Sequence, residues 1–151
     1  MSKISSIYDA IPTAVEAVLT GYKRMPNAYE PEKCPTTILE KGYGVTMGPA
    51  ENPSKDQSLQ LQVRRQFAVI MSRILPGDLD AAAQQTIEKA LLEDQLLVIR
   101  TFERGALSSL APICRYFSDG GITYLDVGEG GGRYLLLANV FALQYAENLQ
   151  A

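Results

Sequence analysis

The sequence predicts a single-domain α+β protein, in which a mainly antiparallel sheet of five or six strands packs against an N-terminal helix and one long central helix. Three observations lead to this prediction. The chain of 151 residues is 46% apolar and 21% charged, as is typical of one globular domain. Two segments repeat apolar residues at helical spacing. Several others alternate apolar and polar residues as half-buried strands do.

The N-terminal helix is predicted over residues 4–19. Its apolar positions recur at intervals of three and four and so share one helix face: Ile4, Ile7, Tyr8, Ile11, Val15, Val18 and Leu19. Pro12 lies within this pattern and lacks a backbone donor, so we expect either a kink or a helix start at Pro12. Gly21 ends the helix.

Prolines and glycines interrupt residues 22–53, which favours short strands and an extended loop over a helix. Ile38–Leu39 and Tyr43–Met47 are the predicted strands. The glycines of this segment do not form a dinucleotide-binding loop, because Pro49 stands where a helix would have to receive the pyrophosphate.

A long strand is predicted over residues 59–75, where apolar side chains fill one face and polar ones the other until the second face turns apolar at Ala68 and Ile70. Arg65 is the exception on the apolar face. Arg64 must face the opposite side, because adjacent strand residues point in opposite directions. We therefore expect one of these arginines to be paired with an acid or extended along apolar surface, and the other to lie at an interface.

A long helix and three more strands complete the prediction. Residues 76–78 break the strand, Asp78 or Asp80 is the expected N-cap, and the helix covers residues 80–104 up to Gly105. The residues predicted to face the core share one side of this helix: Ala83, Ile87, Ala90, Leu91, Asp94, Leu97 and Val98. Strands follow at 113–117, 122–127 and 134–145. The turn 118–121 and the glycine-rich loop 128–133 join them into an antiparallel meander.

The last strand is apolar on both faces, because Leu135, Leu137 and Phe141 alternate with Leu136, Ala138 and Val140. Two interpretations stay open. The strand is either central and lies between the two helices, or one of its faces is covered by another copy of the protein.

The composition argues against chemistry. The chain has no histidine, which removes Ser-His and Cys-His nucleophiles and the commonest metal ligand. Cys34 and Cys114 fit no metal or redox spacing and are predicted to be reduced thiols in a cytoplasmic protein. No apolar run is long enough for a membrane span, and a net charge of −3 does not suit a non-specific nucleic-acid binder. We expect no catalytic residue, no cofactor and no metal, in a protein that binds or assembles.

The run from Lys41 to Asn52, KGYGVTMGPAEN, together with the long strand and its Arg64-Arg65-Gln66-Phe67, resembles the neck proteins of tailed bacteriophages. The order of predicted elements also resembles that of the tail terminators, or tail-completion proteins. This resemblance implies an α/β subunit of a ring, usually of six copies, that caps the tail tube and offers the surface to which the head docks.

The resemblance also implies partners and a location. The partners are further copies of the chain, the tail tube protein and a head-side connector, while DNA only passes through the lumen and no membrane is involved. The location is the virion neck, assembled in the host cytoplasm. Loops 48–57 and 128–133 are expected to project toward neighbours, the tube or the lumen. The residues assigned to interfaces are Tyr43, Val45, Met47, Glu51, Arg64, Arg65, Glu129, Arg133, Phe141 and Tyr145.

Three alternatives stay open. The chain could be another head–tail connector or head-completion protein. It could be a small enzyme with a pocket between sheet and helix, although no carboxylate pair presents itself. It could also be a bacterial adaptor that binds a peptide along a sheet edge.

Overall fold

A computed structural model describes residues 2–51, 60–77, 79–127 and 132–149. The helices are α1 (Lys3–Val18), the short α2 (Thr36–Leu39) and α3 (Ala81–Glu103), with a 3₁₀ turn at Pro31–Lys33. The strands are β1 (Lys23–Arg24), β2 (Lys41–Glu51), β3 (Gln60–Leu75), β4 (Ile113–Asp119), β5 (Thr123–Val127) and β6 (Gly132–Asn148).

The six strands form one sheet in the order β1-β2-β3-β6-β4, and β5 pairs with β6 beyond the end of β4. The two-residue β1 is parallel to β2, and all other described pairings are antiparallel. The central strands β3 and β6 pair over their whole length, from Gln60 opposite Asn148 to Leu75 opposite Arg133. The predicted α+β class is confirmed, with a sheet that is mixed only at its β1 edge.

The long helices α1 and α3 both pack on one face of the sheet, here called the inner face. Odd-numbered residues of β3 and β6 point into this core, and Phe67, Phe102 and Phe141 meet at its centre with ring centroids 4.9–5.4 Å apart. Ile7, Ile11 and Val15 of α1 belong to the same cluster. The interpretation that places the last strand between the two helices is therefore wrong, because both helices lie on the same side.

The ends of the helices are fixed by the groups that the sequence offers. Ser2 caps α1, and the Glu147 carboxylate accepts hydrogen bonds from the Lys3 and Ile4 amides at 3.1 and 2.7 Å. Asp80 caps α3 through the Ala83 amide. Gly105 follows α3 with a φ of +92°, as a helix terminator does. α1 passes through Pro12 and does not start there.

Two local predictions were wrong. Ile38–Leu39 lies in α2 and not in a strand, because the Pro35 carbonyl accepts from both the Ile38 and the Leu39 amides and so closes a helical turn. Leu97, expected in the core stripe of α3, is 40% exposed, whereas Gln95 and Phe102 are buried. The predicted loops 48–57 and 128–133 lie partly in β2 and β6 and partly outside the described residues.

Residues 25–39 cover half of the opposite, outer face of the sheet. Met25, Cys34 and Leu39 pack there with Tyr134 in a second buried cluster. The approach is so close that a Cβ at Gly44 would lie 2.4 Å from the Ala28 Cβ, and one at Gly42 would lie 2.8 Å from the Ile38 carbonyl oxygen. The glycines of β2 therefore serve packing between this segment and the sheet.

Candidate interaction surface

The other half of the outer face has no further described segment over it. Its floor consists of small or short side chains, each half-buried, on the three strands β2, β3 and β6: Thr46, Ala68, Ala138, Val140 and Ala142. Two exposed aromatic side chains stand at its sides, Tyr29 (64% exposed) and Phe117 (63% exposed). We call this region the open half-face. An apolar floor that is flanked by exposed aromatic side chains is typical of a surface that binds another protein chain.

Two shallow grooves lie on the open half-face. One, of about 370 Å³, runs between Tyr29 and Pro31 on one side and Gly120, Gly121 and Thr123 on the other. The second, of about 460 Å³, lies between Phe117 and the end of β2, with Glu51 and Arg64 in its wall. The two grooves are wide open to solvent, so they suit protein contact better than an enclosed small-molecule site.

Arg64 and Arg65 do point in different directions, as predicted. Arg64 forms an exposed ion pair with Glu51 at 3.5 Å, which contributes little to stability. Arg65 donates to the Tyr145 hydroxyl at 3.3 Å and to the Gly48 carbonyl at 3.2 Å. Since β2 is irregular between Met47 and Ala50, Arg65 fixes the backbone at that irregularity.

Four residues assigned to interfaces from the sequence lie in the core instead. Tyr43, Val45, Phe141 and Tyr145 are at most 4% exposed, because they sit at inner-face positions under α1 and α3. Their side chains cannot contact another chain while the fold is intact. The Tyr43 hydroxyl also donates to the Glu16 carboxylate of α1.

The remaining assigned residues are spread over the molecule. Met47 is half-buried and packs against the core. Arg133 is exposed and lies over the Tyr124 ring, 5.7 Å from its centroid, at the β5 edge. Glu129 lies outside the described residues. The structure thus brings only Glu51, Arg64 and Arg65 together, beside the open half-face.

Two exposed aromatic residues of this surface, Tyr29 and Phe117, were not predicted from the sequence. For Phe117 a signal existed, because Ile113 and Phe117 share the outer side of β4 while Cys114 and Tyr116 point inward. Tyr29 offered none, since it lies in a loop whose position depends on long-range packing.

The edge formed by β4 and β5 is the most apolar exposed part of the described chain. Leu92 and Leu96 of α3, Ile113 and Phe117 of β4, and Tyr124 of β5 are each between 39% and 63% exposed. Glu88 accepts from the Tyr124 hydroxyl and Glu103 accepts from the Tyr116 amide, which places this side of α3 beside the edge. Leu92 and Leu96 lie on the same side of the helix. We call this region the apolar edge.

Two polar networks hold the helices on the inner face. Buried Asn139 accepts from Gln95 at 2.7 Å, and Gln95 also donates to Asp119, whose pKa is lowered by that bond and by the Gly121 amide.

In the second network, on the other side of α3, Asp94 accepts from Arg73 and Tyr22, each at 2.6 Å. Burial and the Asp94 carboxylate raise the pKa of Tyr22 far above its usual range. Among the described residues no buried side-chain nitrogen or oxygen lacks a hydrogen-bond partner.

No protein-family model and no curated protein matches this chain significantly. Within the described residues, no three His, Cys, Asp or Glu side chains come together in a group that could hold a metal ion. No described helix is both long and apolar enough to cross a membrane.

Both cysteines are free and buried. Burial, reinforced by the nearby Glu103 carboxylate, raises the pKa of Cys114 to about 12. The thiolate is the reactive form, so we expect Cys114 to react with a disulfide reagent at pH 8 only as fast as the protein opens. Time-resolved labelling with mass spectrometry checks this. Labelling of Cys114 as fast as in the urea-unfolded chain would contradict its burial.

Proposed function

We propose that this protein is a structural subunit of a bacteriophage neck, of the tail-terminator class, that assembles into a ring, caps the tail tube and offers a docking surface to the head. The ring is expected to contain six copies and to let DNA pass through its lumen. The subunit performs no chemistry in this role.

The observation that carries the proposal is the open half-face. Both long helices lie on the inner face, and residues 25–39 cover only part of the outer face. The long strands β3 and β6 therefore present apolar residues such as Ala68 and Val140 with no cover from the described chain. A neighbouring copy supplies that cover in our proposal, and a head-to-tail contact of this kind closes into a ring when its rotation divides a full turn.

The resemblance of residues 41–67 to neck proteins gives this assembly its biological setting. The one-sided architecture supports it, because helices on one side and a partly bare sheet on the other suit a ring wall with two different surfaces. Its virion location and its tube and head-side partners are part of the same proposal.

The proposal predicts self-association that depends on the open half-face. We expect Ala142→Glu to abolish association, because it places a charge on the apolar floor next to Phe117. Sedimentation velocity over a wide concentration range measures this. Thr20→Glu is the matched control, since it adds the same charge at an exposed position after α1. Far-ultraviolet circular dichroism verifies that both variants fold.

Two outcomes would contradict the proposal. One is a wild-type protein that stays monomeric up to millimolar concentration. The other is an Ala142→Glu variant that is folded and associates as the wild type does. The first result would favour the alternative of an adaptor that binds a peptide, which the exposed edge of β4 would serve. The second would show that the copies associate without using the open half-face.

A further inference from the structure

The two edges of the sheet match each other in position along the strands. From Val45 to Glu51 β2 pairs only with β3, since β1 covers no more than Gly42 and Tyr43. Following the pairing across the sheet, Val45 lies level with Asp119 and Glu51 lies level with Ile113. The free part of β2 and the whole of β4 therefore occupy the same levels at opposite edges.

The strand directions also match. Because β2, β3, β6 and β4 are successively antiparallel, β2 and β4 run in opposite directions. When a second copy is related to the first by rotation about an axis parallel to the strands, its strands keep their directions. Its inner face also stays on the same side of the joined sheet. Its β2 would then lie antiparallel to β4 of the first copy and would continue the alternation of the sheet.

At each edge, a side chain accepts a hydrogen bond from a main-chain amide that would otherwise be free to pair with a neighbouring strand. The Met47 amide donates to the exposed Tyr29 hydroxyl at 3.1 Å, and the Tyr116 amide donates to the Glu103 carboxylate at 2.6 Å. Met47 and Tyr116 lie level with each other, through Phe67 and Phe141. Both amides thus point away from the sheet at one level, where a neighbouring strand would supply carbonyl acceptors.

We propose that copies of this chain join edge to edge, with residues 45–51 of β2 in one copy pairing antiparallel with β4 in the next, and that Tyr29 and Glu103 are displaceable caps on these edges before assembly. This inference rests on the proposed function, for which it names the contact between subunits. The strand that pairs with the β4 edge therefore comes from a second copy. Its β2 runs in the required direction, lies at the same position along the strands and has an outward-pointing amide.

The apolar edge gives this pairing its side-chain contacts. Ile113 and Phe117 lie on the outer side of β4, and Leu92 and Leu96 flank it on the side of α3. In the joined state, the loop that carries Tyr29 of one copy lies next to Phe117 of its neighbour, so it contributes to the missing cover of the open half-face. The two edges differ in composition, which makes the contact heterologous and able to close a ring.

Hydrogen exchange tests the pairing directly. Wild-type protein is labelled below and above its association concentration, and the amides of residues 45–51 and 113–119 are compared. We expect both segments to become protected in the assembled protein, since strand pairing satisfies their outward amides. The amides of α1 serve as an internal reference that does not change.

A pair of variants tests the apolar edge. Phe117→Lys is expected to raise the concentration needed for association about tenfold or more, because a large exposed aromatic is lost from the contact and a charge replaces it. Leu149→Lys is the matched control, since Leu149 is similarly exposed at 59% but lies beyond β6. It should associate as the wild type does.

The outcomes separate this inference from the proposed function. A ring whose two edge segments exchange as fast as in the monomer, or that tolerates Phe117→Lys, would overturn edge pairing and leave the ring standing. Protection of residues 113–119 alone would show β4 pairing with β4 in a symmetric dimer and would also overturn it. A chain that never associates would contradict both.

Discussion

Replacing Phe141 with alanine is expected to lower the free energy of unfolding by about 3–5 kcal/mol, the range observed for large aromatic truncations in well-packed cores. Phe141 is fully buried and stacks on Phe67 with 5.1 Å between ring centroids. It also contacts Phe102 of α3 and Tyr116 of β4. Its removal opens a cavity where two strands and the long helix meet. Urea unfolding followed by circular dichroism measures the loss.

The control for this prediction is Phe117→Ala, measured at a concentration where the protein is monomeric. It removes the same side chain from a position that is 63% exposed, so we expect a change below about 1 kcal/mol. Equal losses for the two variants would show that Phe141 does not lie at the centre of the core.

Replacing Asp94 with asparagine is expected to have the second largest effect on stability, about 1–3 kcal/mol. The variant leaves the Arg73 guanidinium without its anion at 2.6 Å and weakens the acceptor for the Tyr22 hydroxyl. The Arg73 and Asp94 side chains are still 18% and 22% exposed, so the larger cost of breaking a fully buried pair does not apply. The same urea experiment measures this loss.

Glu51→Gln is the matched control for Asp94→Asn, because it breaks the other ion pair between a β3 arginine and an acid. That pair is exposed at 44% and 69%, so the expected change is below about 1 kcal/mol. A loss for Glu51→Gln as large as for Asp94→Asn would contradict the assignment of Asp94 to the contact that holds α3 on the sheet.

The five longer strands could be predicted from the sequence because each has a strong local pattern, whereas the two-residue β1 has none and was missed. Val63, Phe67, Val69 and Met71 lie at alternate positions of β3, and the structure places all four on the inner face. The same local argument located α3 to within one residue at either end. Periodicity and helix-capping residues are properties of a short segment, so they are visible without the rest of the chain.

What covers each face could not be predicted in this way. Both faces of β6 are apolar in the sequence, and this does not tell whether a helix or another chain covers each face. Only long-range packing places α1 and α3 on the same side. The helical turn at Ile38–Leu39 also depends on context, since Leu39 packs against the outer face of the sheet. Periodicity shows that a face is buried and does not show by what.

The candidate surface was predicted only in part for the same reason. Arg64 and Glu51 were assigned to an interface and do lie on the outer side, whereas Tyr43 and Phe141 were assigned to an interface as well and lie in the core. The match between the edges of β2 and β4 requires the complete pairing of four strands. This match between the two edges is therefore not visible in any local sequence pattern.

Negative-stain electron microscopy of the associated protein tests the ring most directly. We expect closed particles of about six subunits with a central hole, in which every subunit makes the same head-to-tail contact. Compact dimers without a hole, or open filaments in which the contact never closes, would contradict it.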